Sequence, residues 1–562
     1  MKKLLKYGLL GLGALLVLAA AGAAVFALTF DPNRYRGEIE RIAGEKTGRT
    51  LKIKGDIRLA FWPSLGAAVR GVTFSEKGSS QEFVSFDAAH ASVKVMPLLR
   101  GEYIVDSVSL SGLKARIVKQ KDGRFNFSDL MEQKKPAAAP AQTAEKNAPL
   151  VFDVSRISIE RSSIAYSDLA AGQEYALEGL DLKTGRIARD AEGKLELAMV
   201  AKRKAPPLAA KLSLNGSYAL SGGTLSAEVT ARLDDSTIKT RFTLKEPYEF
   251  EASIDRLNLD RYLGAAEKPA PQARSQKDSS TDTPVDLSAL KGINARGKVQ
   301  VGALEVRGLK LAELNARIQA ANGRVAVAPH SAKGYDGTLA GELVVDANRN
   351  QVVLKEKLTG VSIGPILRDF AQQDRLEGKG DIALDVNTAG ASVNAMKRAL
   401  AGTANVNLRD GAVKGVNLGE ILRKTRTALG GSPSAAQGES AGDKTQRTDF
   451  SELSASFVIK NGVAHNEDLD AKAPLFRLGG AGDINIGASS LNYLAKASVV
   501  GTSKGQGGAE RDRLAGLTVP VRLSGAFDDL KYEVDYKALG KDAAKSEAGA
   551  RVKEKLKGLL GR

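Results

Sequence analysis

Between Thr224 and Leu233 the chain reads TLSAEVTARL, with Leu225, Ala227, Val229, Ala231 and Leu233 in one phase and Ser226, Glu228, Thr230 and Arg232 in the other. Side chains alternate across a strand, so this is a strand with one dry face and one wet face. The same period of two recurs along most of the chain. LKIKGDIRLAF sets Leu51, Ile53, Ile57, Leu59 and Phe61 against Lys52, Lys54, Asp56 and Arg58. DIALDV repeats it with Ile382, Leu384 and Val386, GDINI with Ile484 and Ile486, and VPVRL with Val519, Val521 and Leu523. Between such runs stand turn dipeptides at Asp122-Gly123, Asn215-Gly216, Asn322-Gly323, Asp410-Gly411, Asn461-Gly462 and Ser524-Gly525. Closely spaced strands joined by tight turns predict a mainly β, antiparallel meander rather than βαβ units.

A few segments break the period. Asp31-Pro32 reads as an N-cap with Pro at the first helical position, after which Tyr35, Ile39, Ile42 and Ala43 recur at helical spacing until Gly44 or Gly48. Covering the first strands is the preferred role for this helix, and lying at a membrane interface is the alternative. Short helices are expected at 365–374, 392–400 and 416–429. The polar, Pro/Ala/Ser-rich stretches 132–149, 264–284 and 430–447 cannot bury enough apolar area to order themselves and are read as disordered loops. The basic end, 538–562, is read as a solvated tail.

The first thirty residues depart most sharply. Lys2, Lys3 and Lys6 precede an uncharged run, residues 7–30, that includes Leu9, Leu10, Leu15, Leu16, Val17, Leu18, Val25 and Phe26. At ~1.5 Å per residue such a run spans about 36 Å, enough for a hydrocarbon core of ~30 Å. Lysines stay cytoplasmic, so the body is expected across the membrane. Val25-Phe26-Ala27 resembles a signal-peptidase site, but signal cores run only about 7–15 residues, so an uncleaved anchor is preferred.

Composition adds exclusions. Aromatics are 5% with one Trp62, so the dry faces are aliphatic rather than aromatic. The net charge of +17 is spread over the chain and alternates with apolar residues, without the stacking aromatics of a nucleic-acid binder, so no nucleic-acid partner is expected. Cysteine is absent, which excludes disulfides and thiol chemistry. His90, His330 and His465 lack metal-ligand spacing and read as structural. GDKT at 442–445 places Asp443 where a phosphate-binding loop needs Gly. No catalytic or metal site is assigned, no cofactor is called for, and the chain is read as a non-enzyme.

Two segments are more specific than periodicity. GRTLKIKGDIRLAFWPSLGAAVRGVTF (48–74) joins a strand pair through a Trp-Pro-Ser-Leu-Gly turn, and DFSELSASFVIKNGVAHNEDLDAKAPLFRLGGAGDINI (449–486) leads into LNYLAKASV and VPVRLSGAFDDLKYEVDY. With the apolar N-terminus, this combination resembles the AsmA family of inner-membrane-anchored periplasmic proteins. The resemblance implies a long, bent antiparallel sheet forming an open hydrophobic groove, as in bridge-like lipid-transfer proteins, after an N-terminal transmembrane helix. It implies the division 1–30 anchor, 31–131 N-terminal region, 132–149 loop, 150–263 groove, 264–284 loop, 285–429 groove with short helices, 430–447 loop, 448–537 C-terminal β region and 538–562 tail. The implied function is phospholipid transport between inner and outer membrane, the alternative a scaffold for outer-membrane protein assembly. The implied partners are phospholipid acyl chains, the inner membrane, and the outer membrane or other envelope proteins.

A sheet with one apolar face must bury it. Sandwiches and barrels do so with protein, whereas a trough lined by aliphatic residues can do so with acyl chains. The candidate lining residues are Leu51, Ile53, Ile57, Leu59, Leu225, Val229, Leu233, Ile382, Leu384, Val386, Ile484, Ile486, Val519, Val521 and Leu523. Trp62 is left among a turn cap, a membrane-interface residue and a core residue.

Overall fold

The computed structural model describes residues 30–100, 102, 104–131, 153–263, 282–421, 440–441, 446–473, 476–499, 518–527 and 529–535. The expected anchor with Lys2, Lys3 and Lys6, the loop 132–149, most of the other two loops, and the tail lie outside them. Among the described residues no helix is long and apolar enough to cross a membrane. The chain forms two units, Met1–Lys245 and Glu246–Arg562. Both are mainly β with a few short helices.

In the first unit the edge strands β1 (Leu51–Ile53) and β2 (Ile57–Ala60) pair with β3 (Ser64–Ser75), and β3 with β4 (Glu82–Lys94). Next to β4 come β5 (Ile104–Ser111) and β6 (Lys114–Lys119). The short β7 (Asp153–Val154) and β8 (Ile157–Asp168) add to these in parallel. From β8 the chain meanders antiparallel through β9 (Gln173–Thr184), β11 (Glu192–Arg203), β12 (Leu208–Ser221), β13 (Thr224–Leu233) and β14 (Ser236–Leu244), with β10 (Ile187–Ala188) on β7.

The second unit starts with another parallel pair, β15 (Tyr248–Asn258) and β16 (Ala295–Val306). β17 (Leu309–Ala321), β18 (Arg324–Gly334), β19 (Gly337–Asp346), β20 (Gln351–Ser362), β21 (Leu376–Ala389) and β22 (Ala401–Lys414) follow in an antiparallel meander. β24 (Arg447–Lys460), β25 (Val463–Lys472), β26 (Phe476–Asn485), β27 (Ser490–Val499), β28 (Thr518–Ala526) and β29 (Asp529–Val534) continue it, with β23 (Ser440–Ala441) on β29.

The sheets are therefore mixed, which corrects the all-antiparallel expectation. The parallel pairs occur where the connection contains 132–149 or 264–284. A parallel neighbour needs a connection long enough to return to the starting end, and these stretches supply it.

Three of the six turn dipeptides are also corrected. Asn322-Gly323 and Asn461-Gly462 do turn hairpins, with φ of 51° and 74°, and 50° and 74°. Asp122-Gly123 turns just after β6. Asn215-Gly216, Asp410-Gly411 and Ser524-Gly525 instead lie inside β12, β22 and β28. Gly216 is needed for close approach, because a Cβ there would stand 2.4 Å from the Glu228 carbonyl oxygen. Asp410 (φ 49°) sits where β22 carries one residue more than β21, a bulge that bends the strand.

Helices form near the expected places. Asp31 caps the first, its carboxylate accepting the Asn33 N–H at 2.9 Å, and Gly48 (φ 67°) ends it. We label Arg36–Thr47 α1, Ile363–Ala371 α2 and Val393–Ala399 α3. Of 416–429 only the start is described, helical from Leu418 to Ile421. The covering role preferred for α1 is not what the structure shows. α1 has no buried residue, and Tyr35, Ile39 and Ile42 are 55%, 41% and 38% exposed. Its polar side meets the sheet instead, because edge strands carry unpaired N–H and C=O groups that polar side chains can satisfy. Ile53 N–H donates to Glu40 Oε1 at 2.7 Å, and Ile57 N–H to Asn33 Oδ1 at 2.9 Å.

Candidate functional site

Strand register shows what the alternating residues build. In the first unit Ile57 of β2 stands opposite Val69, Val69 opposite Ala89, Ala89 opposite Leu110 and Leu110 opposite Ile159. The row goes on through Leu182, Leu197, Leu214, Ala231 and Ile238. Every member is apolar, and only Ala231 is buried; the rest are partly exposed. Leu59 and Val229 belong to the neighbouring row, which runs through Ala67, Ala91, Val108, Ile157, Thr184, Leu195 and Gly216 and ends at Thr240.

The second unit has a row of the same kind. Phe250, Gly297, Ile318, Val327, Leu343 and Leu354 face one another in turn from β15 to β20. Val386, Gly402, Ile459, Ala464, Ile484 and Leu491 carry it to β27, and Gly525 and Leu530 end it. No member is polar. From Phe250 to Gly402 all are partly exposed. At ~4.8 Å per strand the two rows extend about 45 and 60 Å.

The apolar face is not open everywhere. Leu358, Ile382, Leu408 and Phe450 pack with Ile363, Ile366 and Leu367 of α2. Val519 and Val521, 0% and 1% exposed, close a second cluster with Val416, Leu418 and Ile421. In the first unit Val229 is buried among Tyr218, Ala227, Leu214 and Phe242, all from its own sheet. The opposite faces carry ion pairs such as Glu228–Arg241 at 3.2 Å and Glu178–Lys202 at 2.6 Å. A hollow of about 720 Å³ is lined by the charged Arg186, Glu192, Lys194, Glu228 and Arg241 together with Tyr218, Ala219 and Ala227.

The candidate lining residues therefore fall into four groups. Ile57, Leu59, Leu225, Leu233, Leu384, Val386, Ile484 and Leu523 lie on strands with some exposed surface. Val229, Ile382, Val519 and Val521 are buried by neighbouring protein atoms. Leu51 and Ile53 lie beyond a strand break and pair with Phe74 and Val72, outside the rows traced here. Ile486 falls in the turn after β26. Trp62 is 69% exposed in the β2–β3 turn, so it is not a core residue.

A polar pair interrupts the second apolar face. Ala316, His330, Gly341, Glu356 and Leu384 make the row next to Ile318–Val327–Leu343–Leu354–Val386. His330 Nε2 lies 2.8 Å from Glu356 Oε2, and its Nδ1 lies 3.1 Å from the Val327 carbonyl. Both ring nitrogens face oxygens, so with Glu356 ionised a protonated ring donates to both. The carboxylate of Glu356 raises the His330 pKa above its ordinary value, against the opposing effect of burial. Glu356 Oε1 is buried without a hydrogen-bond partner. The sequence signal is the phase of QVVLKEKL, which puts Glu356 in step with Leu354 and Leu358. Among the described residues no group of three or more His, Asp or Glu could hold a metal ion.

The model of the AsmA family matches residues 1–231 and 210–469. The chain belongs to the AsmA family. The Escherichia coli (strain K12) protein named Protein AsmA is 23% identical over 605 aligned positions, covering 96% of this chain and 95% of that protein. No solved structure matches. Among the described residues of this AsmA-family chain, the strand rows build extended aliphatic surfaces.

Proposed function

We propose that this AsmA-family protein binds phospholipid by its acyl chains along the partly exposed apolar rows and passes it between the inner and outer membranes. In this reading residues 1–30 anchor the chain in the inner membrane and the body stands in the periplasm. The observation that carries it is the continuity of the rows: a methylene leaving Leu214 meets Ala231 or Leu197, never a charge. Burying hydrocarbon is worth roughly 0.8 kcal/mol per CH₂, so about thirty methylenes gain on the order of 20 kcal/mol over water. A continuous surface keeps most of that gain at every position. Aliphatic contact is non-directional, so sliding breaks no specific bond. The role is non-catalytic and needs no cofactor.

A photo-crosslinking residue at Leu214 or Leu354 tests this in the full chain in cell envelopes. Phospholipid adducts are expected at both, and none at Thr230 or Lys355 on the opposite faces. Adducts to protein alone would favour the scaffold reading, which the closed cluster around Val519 and Val521 supports, since a conduit would leave that surface free.

A further inference from the structure

α1 wears its apolar stripe outward. Tyr35, Ile39 and Ile42 follow one another up a single helix face, and Phe30 stacks on Tyr35 with ring centroids 5.7 Å apart. The side that meets the protein is polar: Asn33, in the turn before α1, and Glu40 bond the backbone of Ile57 and Ile53. The few apolar side chains of a surface helix normally turn toward the protein. Here the protein fixes the helix by the other side, so the stripe is held in place by hydrogen bonds and left uncovered by the described residues.

We propose that this stripe docks α1 onto the surface of a lipid bilayer. Continuity of the chain identifies the occupant. The uncharged residues 7–30 run directly into Phe30 and Tyr35, so a bilayer that takes up the run meets this helix first. Arg34, with 82% of its side chain exposed, precedes α1 and Lys46 lies one turn beyond Ile42, while Glu38 and Glu45 beside the stripe are paired with Arg41, so the segment carries no excess charge that would oppose a bilayer. Because Asn33 and Glu40 bind α1 to the open edge of β1 and β2, a docked helix sets that edge against the membrane. The inference rests on the membrane-anchored reading above and adds where the body touches the lipid.

The chain has no cysteine, so single cysteines can carry nitroxide labels in the full protein, reconstituted in phosphatidylethanolamine–phosphatidylglycerol vesicles. Labels at Ile39→Cys and Ile42→Cys are expected to collide several-fold more with oxygen than with a water-soluble nickel chelate, and a label at Thr230→Cys the reverse. Nickel-dominated collisions at Ile39 would overturn docking. So would shielding from both reagents, which would mean cover by residues 7–30 or a second copy. A label at Leu16→Cys separates the two readings: lipid-exposed Leu16 with wet Ile39 removes docking alone. Lipid-exposed Ile39 without phospholipid adducts at Leu214 removes the conduit alone.

Discussion

His330 donates from Nε2 to Glu356 Oε2 at 2.8 Å across β19, at the position of Gly341. On this apolar face the hydrogen bond to the Glu356 carboxylate favours the protonated ring, against burial, which disfavours it. A histidine whose folded pKa is raised contributes stability that is complete below the unfolded value, about 6.5, and is lost as pH rises through the folded value. The share of the unfolding midpoint that comes from this pair is therefore expected to be complete at acid pH and to fall as pH rises above about 6.5. His330→Gln should flatten part of that slope. His465, which the Asp483 carboxylate also raises, contributes in the same direction, and His465→Gln should remove its share. Denaturant midpoints for wild type and both variants across this range test the assignment. An unchanged slope in His330→Gln would mean the imidazolium is not a native-state species.

Gly341 is what lets the two side chains meet. A Cβ there would stand 2.1 Å from the Lys355 carbonyl oxygen and 2.6 Å from Glu356 Oε2. The backbone oxygen cannot move without displacing β20, so Gly341→Ala is expected to destabilise by about 1–3 kcal/mol. It should also lower the His330 pKa, read by the histidine proton resonances. Destabilisation with an unmoved resonance would show overpacking without loss of the pair.

A buried cation locks the start of the first unit. The Arg49 side chain is fully buried, donating to Asp129 at 2.6 Å and to the Asn126 and Ser75 carbonyls at 2.7 and 3.1 Å, with its guanidinium 5.1 Å from the Phe83 ring. Removing one partner of a buried pair leaves the other charge uncompensated, so Arg49→Ala is expected to cost about 3–5 kcal/mol. Arg49 holds the Asp129 carboxyl below its usual pKa. That stability is present above the unfolded carboxylate value and is lost as pH falls through the folded one. Asp129→Asn should therefore be destabilising near neutrality and approach wild type in acid, as followed by thermal melts.

Much of this was legible in the alternation, because a period of two needs only local sequence. Leu214, Leu354 and Val386 declare their phase within a few residues. Which rows join is set by register, which depends on where bulges fall, and Asp410 looks like a hairpin turn in sequence although it is a bulge within β22. The parallel pairs were hidden for a related reason: 132–149 and 264–284 carry no pattern, and their length was the only clue. The outward stripe of α1 could not be read from its spacing, which is identical for a helix facing in. What decides it is the pair of polar residues, Asn33 and Glu40, aimed at an open strand edge. The closed end around Val521 was equally invisible, since a sealed aliphatic face and an open one have the same alternation.

A paired charge is tolerated on the second apolar face, and an unpaired one should not be. Leu354 lies in the polar-free row one step from Glu356, so Leu354→Asp would place a second carboxylate beside the first with no cation assigned to it. Water would then hold that position, and an acyl chain would have to displace it at a cost of roughly 1–3 kcal/mol. With a crosslinker at Leu343, which faces Leu354 across the strand pair, Leu354→Asp is expected to reduce phospholipid adducts several-fold, whereas Leu354→Met should retain them. Lys355→Gln, on the other face, should leave the yield unchanged. Equal losses in Leu354→Asp and Lys355→Gln would show that lipid does not follow the row, because a change of charge alone would then explain both.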